Sequence, residues 1–370
     1  MDLALRNMKS ITGIVLSVIS AAILLCGCRT VLPKSPMVTK AENDSIAARS
    51  VQKIWGGDKH CAFTSIIRFK GKYYISFREA ESHIFDEDGE ARGATRILAS
   101  ADGQKWESVA FLTEDGIDLR DPKLSVTPDG RLMVLIGGSH YVNKELVSRC
   151  PRVSFSADGI NFSTPEKIHI DSKTANGNDW LWRVEWNKGV GYGVVYSLLA
   201  PNPRKVAQGS ALSLVKTMDG IHYEDVTRID LPDFPNESTV RFLPDGRMAM
   251  MVREDSGDCM GYWGVSDHPY TNWSFKKMDL YLGGPDFFVN SKNEIIMGSR
   301  DMRVKGNSTI IRKGTVAGDF RDVVNLPSSG DCSYPGFLKV GKELWVSYYS
   351  THETPKAAVY LAKLPMSMFD

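Results

Sequence analysis

Three arginines each stand seven residues beyond the centre of a short turn: Arg78 after Gly71, Arg253 after Gly246 and Arg300 after Asn293. At a second recurring position, just ahead of the first strand of such hairpins, the chain carries Asp121, Arg183, Glu237, Asp286 and Tyr334. Guanidinium groups that converge hold a carboxylate through paired, charge-assisted hydrogen bonds. Each could instead pair with its own neighbour, Glu79, Glu254 or Asp301, but three at one register favour a common anionic ligand. A phenol with a pKa near 10 is a poor nucleophile at neutral pH, so Tyr334 needs an adjoining base such as Glu237. Charged groups that open strands are costly to bury unpaired, which places Asp121, Arg183 and Asp286 on the wall of a polar cavity.

A proton donor is sought in the loop between Glu79 and Arg92, where Asp86 and Asp88 follow the Arg78 strand. His140 and His352 end second strands and are candidates to bind a ligand or carry a proton. The catalytic set expected from the residues is Tyr334, Glu237, Asp86, Asp88 and Asp121. The binding set is Arg78, Arg253, Arg300, Arg183, Asp286, His140 and His352.

These residues meet only if the chain repeats. Six turns flanked by alternating apolar residues centre on Gly71, Gly130, Gly189, Gly246, Asn293 and Gly341, at spacings of 59, 59, 57, 47 and 48 residues. Each is followed by a short strand such as YYISF, LMVLI or LWVSY. A second motif, Ser-x-Asp-Gly-x-x-aromatic, occurs at Ser100–Trp106 and Ser156–Phe162, and decays at Thr217–Tyr223 and Ser266–Trp273. Its Asp can accept backbone N–H bonds across a tight turn, its Gly can take a positive φ, and its aromatic can fill the gap between sheets. Six units of about fifty residues, each with roughly four strands, predict an all-β, six-bladed β-propeller over residues 51–370. Two β-sandwiches would have no reason to keep such spacing. In a propeller the start of the innermost strand and the end of the second lie side by side at one mouth, where the two sets of residues converge.

Outside the repeats, Arg6 and Lys9 precede the apolar run Ile11–Leu25, which is shorter than the roughly 20 residues of a spanning helix. It ends in Leu-Cys-Gly-Cys, which resembles a lipobox, so residues 1–27 are expected to be a signal peptide and Cys28 a lipid anchor. Residues 28–50 then read as a tether. Cleavage there leaves 43 basic against 43 acidic residues, and with no basic stripe the composition speaks against a nucleic-acid partner. The remaining cysteines, Cys61, Cys150, Cys259 and Cys332, have no metal-ligand spacing and read mainly as buried thiols, although one pair could be bridged. No cofactor and no metal are expected.

The Ser-Ala-Asp-Gly turns and the six-fold repeat resemble the sialidase superfamily, six-bladed propellers carrying Asp-box turns, over roughly Trp55 to Leu364. Asn236–Arg253 resembles the family segment in which a glutamate opens a strand and an arginine closes the next, which maps onto Glu237 and Arg253. Gly298-Ser299-Arg300 maps Arg300 onto a second arginine of the carboxylate-binding triad, and Ser333–Phe337 maps Tyr334 onto the tyrosine nucleophile with Glu237 as its base. The family's first-blade arginine, in a Phe/Tyr-Arg-Ile-Pro motif, has no counterpart in His60–Ile66. Arg78, one strand over, is the available substitute. LRDPKL and WLWRVEW resemble propeller glycosidases that use carboxylate pairs on other sugars.

The resemblance implies an exo-acting glycoside hydrolase that removes a terminal acidic sugar from a glycan. Two carboxylates from Asp121, Glu237 and Asp286 acting on a neutral sugar are the alternative enzyme. A lipoprotein that captures glycans without cleaving them is the non-enzymatic one, and a lyase using His140 or His352 with a tyrosine is a further possibility. The expected setting is a monomer held by lipid at the cell envelope, facing the periplasm or the cell surface.

Overall fold

The computed structural model describes residues 39–370; the expected signal peptide and Cys28 lie outside the described residues. Six sheets follow one another along the chain, antiparallel throughout except where His169–Ile170 runs parallel to the outer strand of the third. From axis to rim, the first is His60–Phe69, Lys72–Ala80, Ala94–Ser100 and Glu107–Leu112. The innermost strands of the other five are Asp118–Val126, Asp179–Asn187, Pro235–Phe242, Gly283–Val289 and Cys332–Val340. Each inner strand touches the inner strands of the sheets on either side, so the six close a circle. The chain is an all-β, six-bladed β-propeller.

All six turn centres fall between the first and second strands of a blade. They adopt left-handed backbone, with φ of 80° at Gly130 and 61° at Asn293, the conformation that tight hairpins need. Three Ser/Thr-x-Asp-Gly turns share one geometry. Asp158 accepts from the N–H groups of Ile160 and Asn161, both at 2.8 Å, while Gly159 N–H donates to Ser156 Oγ at 2.8 Å. Asp102 and Asp219 repeat the pattern with Gln104 and Lys105, and with Ile221 and His222. Each turn wedges against the preceding blade. A Cβ at Gly103 would lie 2.0 Å from the Trp345 ring, and one at Gly159 would lie 2.1 Å from the Tyr74 hydroxyl. The fourth, looser repeat is a different turn, in which Ser266 Oγ donates to Asn272 O at 2.6 Å.

Between blades the core is apolar: Phe69, Tyr74, Ile97, Leu119, Leu132 and Val134 fill the gap between the first two. Ring closure uses both ends of the described chain. Val51–Trp55 pairs antiparallel with Ala358–Pro365 and becomes the outermost strand of the sixth blade.

The stretch read as a tether differs from that expectation. Lys40–Ser50 is an α-helix with a capping box, in which Thr39 Oγ1 accepts from Glu42 N and Glu42 Oε2 accepts from Thr39 N. It packs on the outer strand of blade five, where Asn43 Nδ2 donates to Val323 O at 3.1 Å and Asp44 Oδ1 accepts from Asn325 N at 2.7 Å. These bonds satisfy backbone groups that an edge strand would leave open. Among the described residues the packed unit therefore takes in Lys40–Ser50, ahead of residue 51.

One irregularity recurs in every blade. The pairing of the first two strands slips at Ala62/Ser65, Arg120/Lys123, Leu181/Val184, Pro235/Ser238, Gly283/Asp286 and Ser333/Gly336. Each slip sets two residues of the first strand against one of the second, a bulge that re-aims side chains out of the strand's alternation. The bulged pairs include Phe63, Asp121, Trp182, Glu237, Gly284 and Tyr334, so one backbone defect used six times builds the floor of the pit.

Candidate active site

Tyr334 and Glu237 come from bulges in blades six and four. The Tyr334 hydroxyl donates to Glu237 Oε1 at 2.7 Å. Arg253, from the second strand of blade four, binds both: its Nη1 is 2.9 Å from Glu237 Oε2 and 3.3 Å from the Tyr334 oxygen. Its Nη2 rests on Asp255 Oδ1 at 2.9 Å. Gly284 N–H donates to Glu237 Oε2 at 3.1 Å. Burial, and next the charge of Glu237, push the tyrosine's pKa well above the usual phenol value. The group is therefore a neutral phenol at rest, with its proton directed at Glu237.

Arg300 completes the cationic side, with its guanidinium carbon 5.7 Å from the Tyr334 ring centroid. Its Nη1 is 3.3 Å from Asp331 Oδ1, which also accepts from the Tyr349 hydroxyl at 2.9 Å. The other oxygen of Asp331 meets two imidazoles, His60 Nε2 at 2.8 Å and His83 Nδ1 at 2.6 Å. Burial works against the Asp331 charge, yet the bonds from His60 and His83 hold its pKa below the ordinary carboxylate range. These three residues have ligand-type atoms within 4.8 Å of one another. Arg300 and Tyr349 already share the carboxylate, and Arg120 adds positive charge beside His83, so the charge balance suits hydrogen bonding better than a divalent cation. Phe63 packs 4.9 Å from Tyr334 and 5.4 Å from Tyr349, centroid to centroid, with Trp182 against the other side of Tyr334 at 5.6 Å.

Of the sequence-derived residues, Tyr334, Glu237, Arg253 and Arg300 meet. Asp121 joins their edge: it lies in the blade-two bulge, and its burial and the charge of Glu237 both raise its pKa while Lys123 opposes them. Lys123 stands 4.5 Å over Trp182 and 5.9 Å over Tyr334, centroid distances measured from Nζ.

The others lie elsewhere. Arg78 is fully buried, with Nε on Asp118 Oδ1 at 2.7 Å and Nη1 on Ser82 O at 2.7 Å, so it fixes a loop instead of facing a ligand. Asp86 and Asp88 are both bound by Arg92, at 3.2 and 2.8 Å, because the loop folds back on itself. Asp286 sits one residue past its bulge and points into the shaft, bridging Arg183 at 3.1 Å and Arg241 at 2.7 Å. That pair and Lys123 line a cavity of about 280 Å³ beyond the bulges. His140 pairs across its own hairpin with Ser148, and His352 packs on Tyr360 with the rings tilted, 4.7 Å between centroids. Among the described residues neither hydrogen-bonds to the tyrosine cluster. The four described cysteines are free thiols.

No family model and no curated protein sequence matches the chain. Solved structures do. A Dyadobacter fermentans protein of unknown function superposes with a TM-score of 0.72 at 16% identity, over 85% of this chain and 99% of that one. Trypanosoma rangeli sialidase gives 0.65 at 10% identity, over 84% of this chain and 55% of that one. Penicillium chrysogenum α-L-arabinanase gives 0.60 at 15% identity, covering 85% and 98%. The fold is sialidase-like. The chain spans just over half the length of the trypanosomal sialidase.

Several residues of this pit went unread in the sequence: Phe63, His60, His83, Arg120, Trp182, Asp331 and Tyr349. One signal could have found the bulges. Asp121-Pro122, Gly284-Pro285 and Tyr334-Pro335 place proline as the second bulged residue in three blades, where the ladder asks for no N–H.

Proposed function

We propose that the protein is an exo-acting, retaining glycoside hydrolase that removes a terminal acidic sugar from a glycan. The observation that carries this reading is the 2.7 Å bond from the Tyr334 hydroxyl to Glu237, capped by Arg253. In the first step the Tyr334 oxygen bonds to the anomeric carbon as its proton passes to Glu237 Oε1. The bond to the leaving oxygen breaks, and that oxygen takes a proton from an acid at the mouth. Water then reverses the sequence: it adds to the anomeric carbon, the tyrosyl bond breaks, and Glu237 returns the proton. A neutral phenol suits an anionic sugar, which would repel a carboxylate nucleophile.

Arg253 and Arg300 are the cations for the sugar's acidic group. In the stretch where sialidases place a further arginine, Phe63 fills the pit, so the anion is gripped by two guanidinium groups. A carboxylate pair of Asp121 and Glu237 acting on a neutral sugar is the second enzyme reading, favoured by the raised pKa of Asp121, which suits an acid. Asp286 is removed from that pair by its two arginines. The N-terminal reading adds a lipid at Cys28 that holds a monomer on the cell envelope, with a glycan as its only other partner and no cofactor.

The test is a panel of sialylated, uronic and neutral glycosides, followed by trapping with a fluorinated acidic sugar and peptide mass spectrometry. The expected result is release of an acidic sugar and a covalent adduct on Tyr334. Saturable glycan binding with no product from any substrate would replace the hydrolase with a glycan-capturing protein.

A further inference from the structure

The departing oxygen needs a proton, and the loop carboxylates expected to supply it are held by Arg92. We propose that His83 is the general acid and base of this site, with Asp331 as the residue that positions it. The inference rests on the tyrosine-nucleophile reading above.

His83 lies in the turn that follows the second strand of blade one. Its ring meets Phe63 edge-on at 5.4 Å, and Phe63 lies 4.9 Å from Tyr334, so a single aromatic side chain links imidazole and phenol. An ionised carboxylate only accepts hydrogen bonds, so the 2.6 Å contact with Asp331 Oδ2 puts a proton on Nδ1. The exchangeable proton is then on Nε2. That nitrogen has no hydrogen-bond partner among the described residues, and the side chain is 42% exposed.

The backbone around it is clamped. Arg78 donates to Ser82 O at 2.7 Å and Arg120 to His83 O at 3.1 Å, and both guanidinium groups are held by Asp118, at 2.7 and 3.0 Å. Two buried arginines thus immobilise two successive carbonyls of an exposed turn, which gives Arg78 a purpose its distance from the pit would otherwise deny it. Other donors are less suited. Asp118 gives both oxygens to arginines, the His60 side chain is 8% exposed, and Asp121 lies deep beside Lys123.

In glycosylation the Nε2 proton passes to the leaving oxygen as the glycosidic bond breaks. In deglycosylation Nε2 takes a proton from water as the water oxygen bonds to the anomeric carbon. The charged and titratable groups facing His83 are Asp331 from the turn before the sixth inner strand, His60 from the first inner strand and Arg120 from the second. Burial foremost, with Arg120 and His60, lowers the imidazole pKa, and the bond to Asp331 opposes them. The acid form therefore accumulates only at a pH below the ordinary imidazole range, and cleavage of poor leaving groups should rise as pH falls.

The experiment compares wild type with His83→Ala and His83→Gln on one acidic sugar carried by two leaving groups. An alkyl alcohol requires a proton to depart; a nitrophenolate does not. We expect kcat/KM on the alkyl glycoside to fall by about 10²- to 10⁴-fold in both variants, with loss of the pH dependence. The nitrophenol burst should persist, and azide, which needs no general base, should speed turnover and yield the glycosyl azide. Asp331→Asn should shift the pH profile with a smaller loss. Equal losses on both leaving groups, or none on either, overturn the assignment. So does wild-type activity that disappears on chelation and returns with zinc, since the imidazole would then be a ligand. Wild type inactive on both glycosides defeats the hydrolase reading itself.

Discussion

The hydroxyl of Tyr334 reaches Glu237 across 97 residues of sequence, at 2.7 Å, because two equivalent bulges in blades four and six turn both side chains toward the axis. The bond pairs an acceptor that can take a proton with a donor that is useless until it loses one. Tyr334→Phe removes the reacting oxygen and little else. Turnover should fall by at least about 10³-fold, while binding of an acidic sugar, followed by calorimetry, survives.

Arg253 and Arg300 should respond differently. Arg253 is caught between Glu237 and Asp255; Arg253→Ala takes the cation from buried Glu237, while Asp255 keeps Arg204, and is expected to lower stability by about 3–5 kcal/mol as well as activity. Arg300 is less committed, and Arg300→Lys should raise KM for acidic sugars by roughly 10- to 100-fold while kcat changes less. Denaturant unfolding and steady-state kinetics on the two variants separate these effects.

Gly284 is the floor beneath Tyr334. A Cβ there would lie 2.3 Å from Tyr334 Cγ, at a φ of 59°. Gly284→Ala should therefore tilt the phenol away from Glu237 and destabilise the protein by about 1–3 kcal/mol. The readouts are a reduced kcat with a lowered Tm; unchanged values of both would show that the ring has room to spare.

Acid should reveal the Asp331 cluster. A carboxylate whose pKa is lowered by folding contributes stability above its unfolded value near 3.9, and that contribution is lost as pH falls through that value toward the folded one. Asp331→Asn should accordingly be less stable than wild type at pH 7 in urea, and the gap should shrink at pH 3. A constant gap would assign the effect to packing.

What was legible in the sequence followed from strong local constraints. Gly130 and Asn293 mark hairpins because few residues tolerate their backbone, and six such marks at even spacing leave little besides a ring of sheets. Glu237, Tyr334, Arg253 and Arg300 were found because strand register carries over from blade to blade. Arg78 shares that register, yet its side chain meets Asp118 of the next blade, a contact no periodicity encodes. Asp286 fails by a single residue, since a bulge decides which neighbour faces the pit and which faces the shaft. His83 and Asp331 sit on turns, where spacing predicts nothing. The helix Lys40–Ser50 escaped because polar side chains on strand backbone, not an apolar stripe, hold much of it in place.

The sheet that carries Tyr334 is sewn from strands far apart in the chain, with Val51–Trp55 laid beside Ala358–Pro365. A growing polypeptide therefore cannot bring Tyr334 to Glu237 within a closed ring until its last blade has been synthesised and has captured a strand made hundreds of residues earlier. A chain cut short before that clasp leaves the sheet behind Tyr334 unfinished.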